Sequence, residues 1–285
     1  MPPTVSFFPP PLVDAYRRGK LAVLFGSGLS IAPDVRGNFP RWKDLPDRLL
    51  AQALQQGVWQ QAQVDAMGGF FKAGYVSLGA MLTALDVIKT PLRDARRYRP
   101  AITALFRPKD AAPGDVHRAL VELGIDVLVT TNYDELLERV SGAPARQVYS
   151  WRQSDKALDD VKGGLPVLYK IHGNAADDDS IVMTRAEYEV AAKDVPYQGT
   201  MRFLLQTYTF LLVGYGINDP FDLDLVFGLN TAAFGSATNT HYALVKDAGQ
   251  TDRDRWQRDM NIQVVPYDDH GDLPAILRTL AHNPP

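Results

Sequence analysis

Cysteine is absent from the 285 residues, which excludes a disulfide framework, a thiol nucleophile and a cysteine-built zinc ribbon. Net charge is scarce too: 30 Lys and Arg against 33 Asp and Glu leave −3, too little of either sign to suggest an extended nucleic-acid surface. No run approaches the roughly 18 apolar residues of a membrane span. The N-terminal stretch lacks a secretory pattern, because Phe7 and Phe8 are fenced by prolines and the basic residues come after them. A soluble, cytoplasmic protein is expected, with loosely held Pro-rich ends at Met1–Pro11 and Asn283–Pro285. What is present is globular in kind: 46% hydrophobic and 22% charged residues, at a length suited to one large α/β domain or one with a substantial insertion.

Short apolar runs recur along the chain at Leu21–Phe25, Val127–Val129, Val167–Ile171, Phe210–Val213, Tyr242–Val245 and Ile262–Val265. Each is followed by a polar or turn-forming residue, as buried parallel strands are. Helical patterning lies between them, at Tyr133–Val140, Arg185–Ala192, Tyr197–Thr207, Asp252–Met260 and Leu273–His282. The alternation predicts an α/β fold: a Rossmann-like open parallel sheet of about six strands with helices on both faces. It breaks once. Residues 42–122 carry helical stripes (Asp44–Gln55, Val76–Ile88, His117–Leu123) and no strand, and read as a helical subdomain inserted within a single domain spanning 1–285.

Four clusters could carry chemistry, and all four follow predicted strands. Gly26-Ser27-Gly28-Leu29-Ser30 after the first strand suits a close approach of backbone to phosphate, or a plain tight turn; the full dinucleotide fingerprint is missing. Thr130-Thr131-Asn132-Tyr133-Asp134 offers an amide and a carboxylate, for a ligand or for capping a following helix. Lys170-Ile171-His172-Gly173-Asn174 places a histidine at a strand tip, as a proton acceptor or as a hydrogen-bonded structural ring. Val213-Gly214-Tyr215-Gly216-Ile217-Asn218-Asp219 repeats the pattern. Because ligands of open α/β sheets bind at the carboxyl ends of the strands, the shared location points to one crevice. The acidic run Asp177–Asp179 and the basic run Arg93, Arg96, Arg97 and Arg99 read as solvated faces.

Taken in order, GSGLS, TTNYD, KIHG and VGYGIND resemble the sirtuin-like (silent information regulator) fold family, whose matching segments read GAGxS, TQNxD, HG and GTS. The chain looks closest to the bacterial antiphage-defence branch of NAD hydrolases, and Pro40-Arg41-Trp42 after the first loop fits that branch. The resemblance implies that Gly26, Ser27 and Gly28 lie along the pyrophosphate of NAD, which is the substrate. It places Asn132 and His172 as catalytic residues, with His172 as general base, and Asp134 near the carboxamide. Gly214 and Tyr215 would line the adenosine side with Asn218 and Asp219 beside them, and Ser30 and the loop to Arg36 would close over nicotinamide. Sirtuin deacylases hold a four-cysteine zinc module after HG; this chain has GNAADDDSIVMTRAEYE there, so no zinc module and no metal are expected.

The resemblance thus implies hydrolysis of NAD to nicotinamide and ADP-ribose by a defence effector. It also implies a homo-oligomer, with room for a separate partner of the hexameric translocase ATPase or short Argonaute type. Membrane attachment and direct nucleic-acid binding are not expected. Three other readings compete: a non-catalytic module binding NAD or ADP-ribose, a protein deacylase or ADP-ribosyltransferase using NAD, and a hydride-transferring dehydrogenase. The joint presence of Asn132 and His172 favours hydrolysis over the first.

Overall fold

The computed structural model describes residues 7–72, 77–142, 144–215, 227, 231 and 239–281. Its centre is a seven-stranded, all-parallel sheet of β1 (Leu21–Phe25), β2 (Val127–Thr130), β3 (Gln147–Ser150), β4 (Val167–Lys170), β5 (Thr209–Val213), β6 (His241–Lys246) and β7 (Ile262–Tyr267). The spatial order is β3-β4-β2-β1-β5-β6-β7. From β1 the chain lays β2, β3 and β4 on one side, β4 returning between β2 and β3, and then crosses to β5 on the other side. The paired tips of β1 and β5 are therefore the topological switch point, the place where open sheets take ligands.

The sheet has one more strand than expected. The added strand is β3, at the edge, where Gln147 and Val148 stay exposed. A strand with one free edge and solvent on its side chains needs no apolar run, so QVYS carries no such signal.

Alternation along each strand separates two cores. Ala22, Leu24, Val127, Val129, Val167, Tyr169, Phe210 and Leu212 face one way. Helices α7 (Ser154–Lys162), α8 (Arg185–Lys193), α9 (Val195–Thr207) and α10 (Gln250–Met260) cover them with Val161, Tyr188, Leu204 and Trp256. Leu21, Val23, Phe25, Leu128, Leu168, Leu211 and Val213 face the other way. They meet α1 (Pro10–Arg17), α6 (Asp115–Glu122) and α11 (Leu273–Ala281). The N-terminal segment is not wholly loose: Phe8 and Leu12 are buried in this second core, and α1 starts at Pro10, whose missing N–H is harmless at a helix start.

A third core is built by α2 (Leu45–Gln55), α4 (Leu78–Asp94) and α5 (Tyr98–Phe106), with α3 (Gln61–Lys72) beside α2. Leu49, Leu85, Ile88, Ile102 and Leu105 supply its apolar stripe. Tyr133, Ala175, Ile181 and Met183, from the loops after β2 and β4, complete it. The inserted helices are thus packed onto the loops that carry two of the sequence clusters. Helix α6, the last in that stretch, instead joins the sheet core.

Residues 133–140 are not helical; they form turns. The carbonyls of Tyr133 and Asp134, which would accept the first helical hydrogen bonds, are used otherwise. Tyr133 accepts from the Ala175 amide at 2.8 Å and Asp134 from the Lys170 ammonium. Tertiary partners outcompete the local ladder.

Helices α6 and α11 are clamped by Arg278, which donates to both oxygens of Asp115 at 2.8 Å and to Glu122 at 2.7 Å. The guanidinium holds the Asp115 carboxyl down at about 2. A carboxyl lowered on folding contributes stability above its ordinary value that is lost as pH falls toward the folded value. Arg278→Met should lower stability at neutral pH by about 1 kcal/mol or less, since the pair is part-exposed. In thermal melts the gap from the unsubstituted protein should close between about pH 5 and pH 2.

Candidate active site

The four clusters meet at the carboxyl edge of β1, β2, β4 and β5. The β1 loop leans directly on β5: Gly26 donates to the Val213 carbonyl at 3.2 Å and Gly28 to the Gly214 carbonyl at 2.9 Å. A Cβ on Gly28 would lie 2.5 Å from the Gly214 oxygen, and Gly214 itself takes a left-handed φ of +57°. Glycine here is required by contact between two backbones. Two of the three amides expected to face a phosphate are therefore already used. The Ser27 amide has no acceptor among the described residues and remains available as a donor.

Asn132 is buried two residues beyond β2. Its Nδ2 donates to the Gly26 carbonyl at 3.1 Å and to Ser30 Oγ at 3.0 Å. A carbonyl can only accept, so the Gly26 contact sets which way the amide faces. The Oδ1 of Asn132 is left to receive a hydrogen bond from a ligand or water. Ser30 passes the chain on, its hydroxyl donating to Asp134 Oδ2 at 2.7 Å, while Asp134 Oδ1 accepts from the Leu136 amide at 3.0 Å. Asn132, Ser30 and Asp134 are all more than nine-tenths buried. Ser30 and Asp134 thus stand behind Asn132 as its orienting chain. Thr130, which the motif reading passed over, braces the same turn: its Oγ1 donates to the Phe25 carbonyl at 2.9 Å and accepts from the Asn132 amide at 3.0 Å.

His172 stands at the neighbouring tip. Thr130 and Lys170 are paired in register, so Asn132 and His172 each lie two residues past the same sheet level. The His172 carbonyl accepts from the Val182 amide at 2.9 Å, and its ring meets Tyr188 edge-on with centroids 5.2 Å apart. Gly173 has φ +94° and packs against the Ser180 backbone, a place with no room for a side chain. Tyr133 Oη donates to the Val182 carbonyl at 2.7 Å, tying the Asn132 loop to the His172 loop. The segment after His172 makes a compact bridge between Asn174 and Asp177 and one 3-10 turn at Asp178–Ser180.

The inserted helices reach this loop through charge. Arg93 pairs with Asp179 at 3.5 Å and Arg99 with Asp178 at 3.3 Å. The two runs read as solvated faces stay largely exposed, but two members of each meet, because the fold brings α4 and α5 over the loop. Deeper in, the buried Lys89 of α4 bonds Glu187, which also caps α8 by accepting from the Met183 and Thr184 amides at 3.1 Å. Burial lowers the Lys89 ammonium to about 8 despite that carboxylate.

The segment from Ser30 to Arg36 is pinned at its far end. Asp34 accepts from the Asp115 amide at the start of α6, and Arg36 and Ala112 exchange two backbone bonds of 3.1 Å. Gly214 and Tyr215, half-buried, pack against the β1 loop at Gly26 and Gly28; Asn218 and Asp219 lie outside the described residues. Among the described residues no group of three or more His, Asp or Glu side chains is placed to hold a metal ion, and no helix is long and apolar enough to cross a membrane.

Residues 126–265 match the family model of the SIR2-like domain. The chain is similar to the "NAD(+) hydrolase ThsA" of Enterococcus faecium, 26% identical over 295 residues, which covers 94% of this chain and 56% of that protein. The protein of the same name from Bacillus cereus (strain MSX-D12) is 32% identical over 134 residues, 46% of this chain and 27% of its own. That from Acinetobacter baumannii (strain 532279) is 28% identical over 141 residues, 49% and 29%. The matches thus span 27% to 56% of the length of these curated relatives.

Removing Ser30's hydroxyl leaves a buried Asp134 oxygen and an Asn132 N–H without partners. Ser30→Ala should cost about 1–3 kcal/mol in urea denaturation. Ser27→Ala, at a half-buried hydroxyl outside that chain, should stay within about 0.5 kcal/mol.

Proposed function

We propose, from the premise that this chain carries a SIR2-like domain across residues 126–265, that it hydrolyses NAD to nicotinamide and ADP-ribose. One observation carries the reading: Asn132 and His172 stand side by side on the tips of β2 and β4, and Asn132 is held by Gly26 and Ser30 with its oxygen left available. The names of the relatives support it.

The bond to be broken joins the ribose anomeric carbon to a positively charged nicotinamide. Its electron pair leaves with nicotinamide, which departs neutral, and positive charge develops on the sugar. The protein's task is to orient the ribose, exclude bulk water and deliver a single water. Asn132 Oδ1 is suited to accept from that water or from a ribose hydroxyl. Neutral His172 takes the proton that the water loses as its oxygen bonds to the anomeric carbon. The Tyr188 ring and the Val182 amide keep the histidine in place. Gly28 and Ser27 bound the phosphate side, with the Ser27 amide as the donor that remains.

The segment after His172, with its Asn174–Asp177 bridge and the 3-10 turn Asp178–Ser180, stands where sirtuin deacylases hold the zinc module on which their acyl-peptide cleft rests, and this supports hydrolysis over deacylation. We read the protein as a cytoplasmic effector of bacterial antiphage defence that depletes NAD when activated. An NAD hydrolase needs restraint in its host, so control by self-assembly or by a separate partner completes the reading. The insertion at residues 42–122 is the segment through which such control can reach the site, because its helices pack on the Asn132 and His172 loops.

Incubation with NAD and separation of the products by chromatography tests this. Nicotinamide and ADP-ribose should appear with the unsubstituted protein. Asn132→Ala and His172→Ala should each lower turnover by about 10²–10⁴-fold with cooperative melting retained. Near-full activity in either folded variant would remove the role assigned to that residue.

A further inference from the structure

Lys170 is a charged residue where none is expected. It ends β4, a strand flanked on both sides by β2 and β3, and it points toward the same sheet face as Leu168. Its side chain is only 1% exposed. A lysine so buried must be paired, or it forfeits several kcal/mol of hydration. It has two acceptors, and both belong to the loop after β2: the Asp134 carbonyl and, at 2.8 Å, Glu138 Oε1.

That loop has other directional restraints: the Tyr133 carbonyl accepts from the Ala175 amide at 2.8 Å, the Leu136 amide donates to Asp134 Oδ1 at 3.0 Å, and Arg139 donates to the Ala111 carbonyl at 3.2 Å. Residues 133–140 form turns, with the short-range bonds Arg139 to Leu136 and Val140 to Leu137, both at 3.2 Å. Leu136 and Leu137 anchor it by burial, but apolar contact is non-directional and leaves a backbone carbonyl free to rotate. The ammonium adds direction. It grips the loop at Asp134, the residue that ends the Asn132–Ser30–Asp134 chain, and again one turn later at Glu138. It does so from a residue two positions before His172, so this side chain links the two loops of the site at Asp134, beside the links that Tyr133 makes to Val182 and Ala175.

We infer that Lys170 is a positioning residue of this site: with Glu138 it locks the Asn132–Asp134 turn to the strand that carries His172, so that the amide and the imidazole address one water together. This rests on the hydrolase reading for its kinetic consequence, but not for its mechanical one.

Two variants separate the claims. Lys170→Met keeps the length and most of the volume of the side chain and removes the ammonium. Amide hydrogen exchange over residues 131–140 should accelerate at least about tenfold, with the rest of the sheet unchanged. Nicotinamide release should fall by about 10–100-fold, the penalty of misplacing reacting groups, while NAD affinity stays within about threefold. Glu138→Gln keeps the side-chain length and an acceptor oxygen but removes the counter-charge. It should accelerate exchange over the same residues by less than Lys170→Met does, and lower turnover with NAD affinity again within about threefold, a split that general loosening of the fold does not produce. Unaltered exchange over 131–140 in Lys170→Met, or full turnover with a loosened loop, would overturn the inference. Failure of the unsubstituted protein to release nicotinamide would overturn the hydrolase reading instead, and the exchange comparison would still decide whether Lys170 holds the loop.

Discussion

The tips of β1 and β5 touch backbone to backbone, and the rest of the site is hung from that contact. With Gly28 against Gly214, the β1 loop has one available path, and that path turns the Gly26 carbonyl toward β2. The carbonyl then dictates the orientation of the Asn132 amide, since it can accept but not donate. From Asn132 the bonding runs through Ser30 to Asp134, and from Asp134 to Lys170 on β4. Four strand tips are joined by a single sequence of polar contacts, buried from the Gly26 carbonyl onward. In a low-dielectric setting such contacts are stronger, and each unmade one costs more, so the geometry is tightly defined.

Around this line the apolar cores divide the labour. Two of them press helices onto the sheet faces and set the height and spacing of the strand tips. The third is shared between the inserted helices and the loops bearing Asn132 and His172. A shift of α4 or α5 therefore reaches the site by two routes, through packing at Tyr133 and Ile181 and through the Lys89–Glu187 pair at the cap of α8. Helix α8 carries Tyr188, the ring set against His172. The surface pairs Arg93–Asp179 and Arg99–Asp178 add a weaker, salt-sensitive tether to the same loop.

Much of this was legible in the residues. The six apolar runs are strands because a parallel strand covered on both faces must be apolar throughout, and LAVLF or FLLV can hardly be anything else. The polar clusters after them were recognisable as one crevice because all fell on the same edge. The edge strand β3 escaped notice for the converse reason, as QVYS is half in water. The turn at residues 133–140 was misread as a helix because its apolar spacing is helical, while its first carbonyls are taken by Ala175 and Lys170, far along the chain. Lys170 itself left a signal, a lone cation inside LPVLYKI, whose meaning depends on knowing that the strand is buried.

By itself the sequence determined the parallel α/β sheet, the order of the motifs and the residue types offered at its carboxyl edge, because these follow from hydrophobic period, strand polarity and local turn chemistry. Only the tertiary structure decided which of those residues touch. That Ser30 stands behind Asn132, that Arg99 meets Asp178, and that Lys170 grips Asp134 are contacts across 36 to 102 positions of chain. No local pattern encodes them. They exist because a packed core leaves each buried polar group only the partners that the strand order has brought within reach.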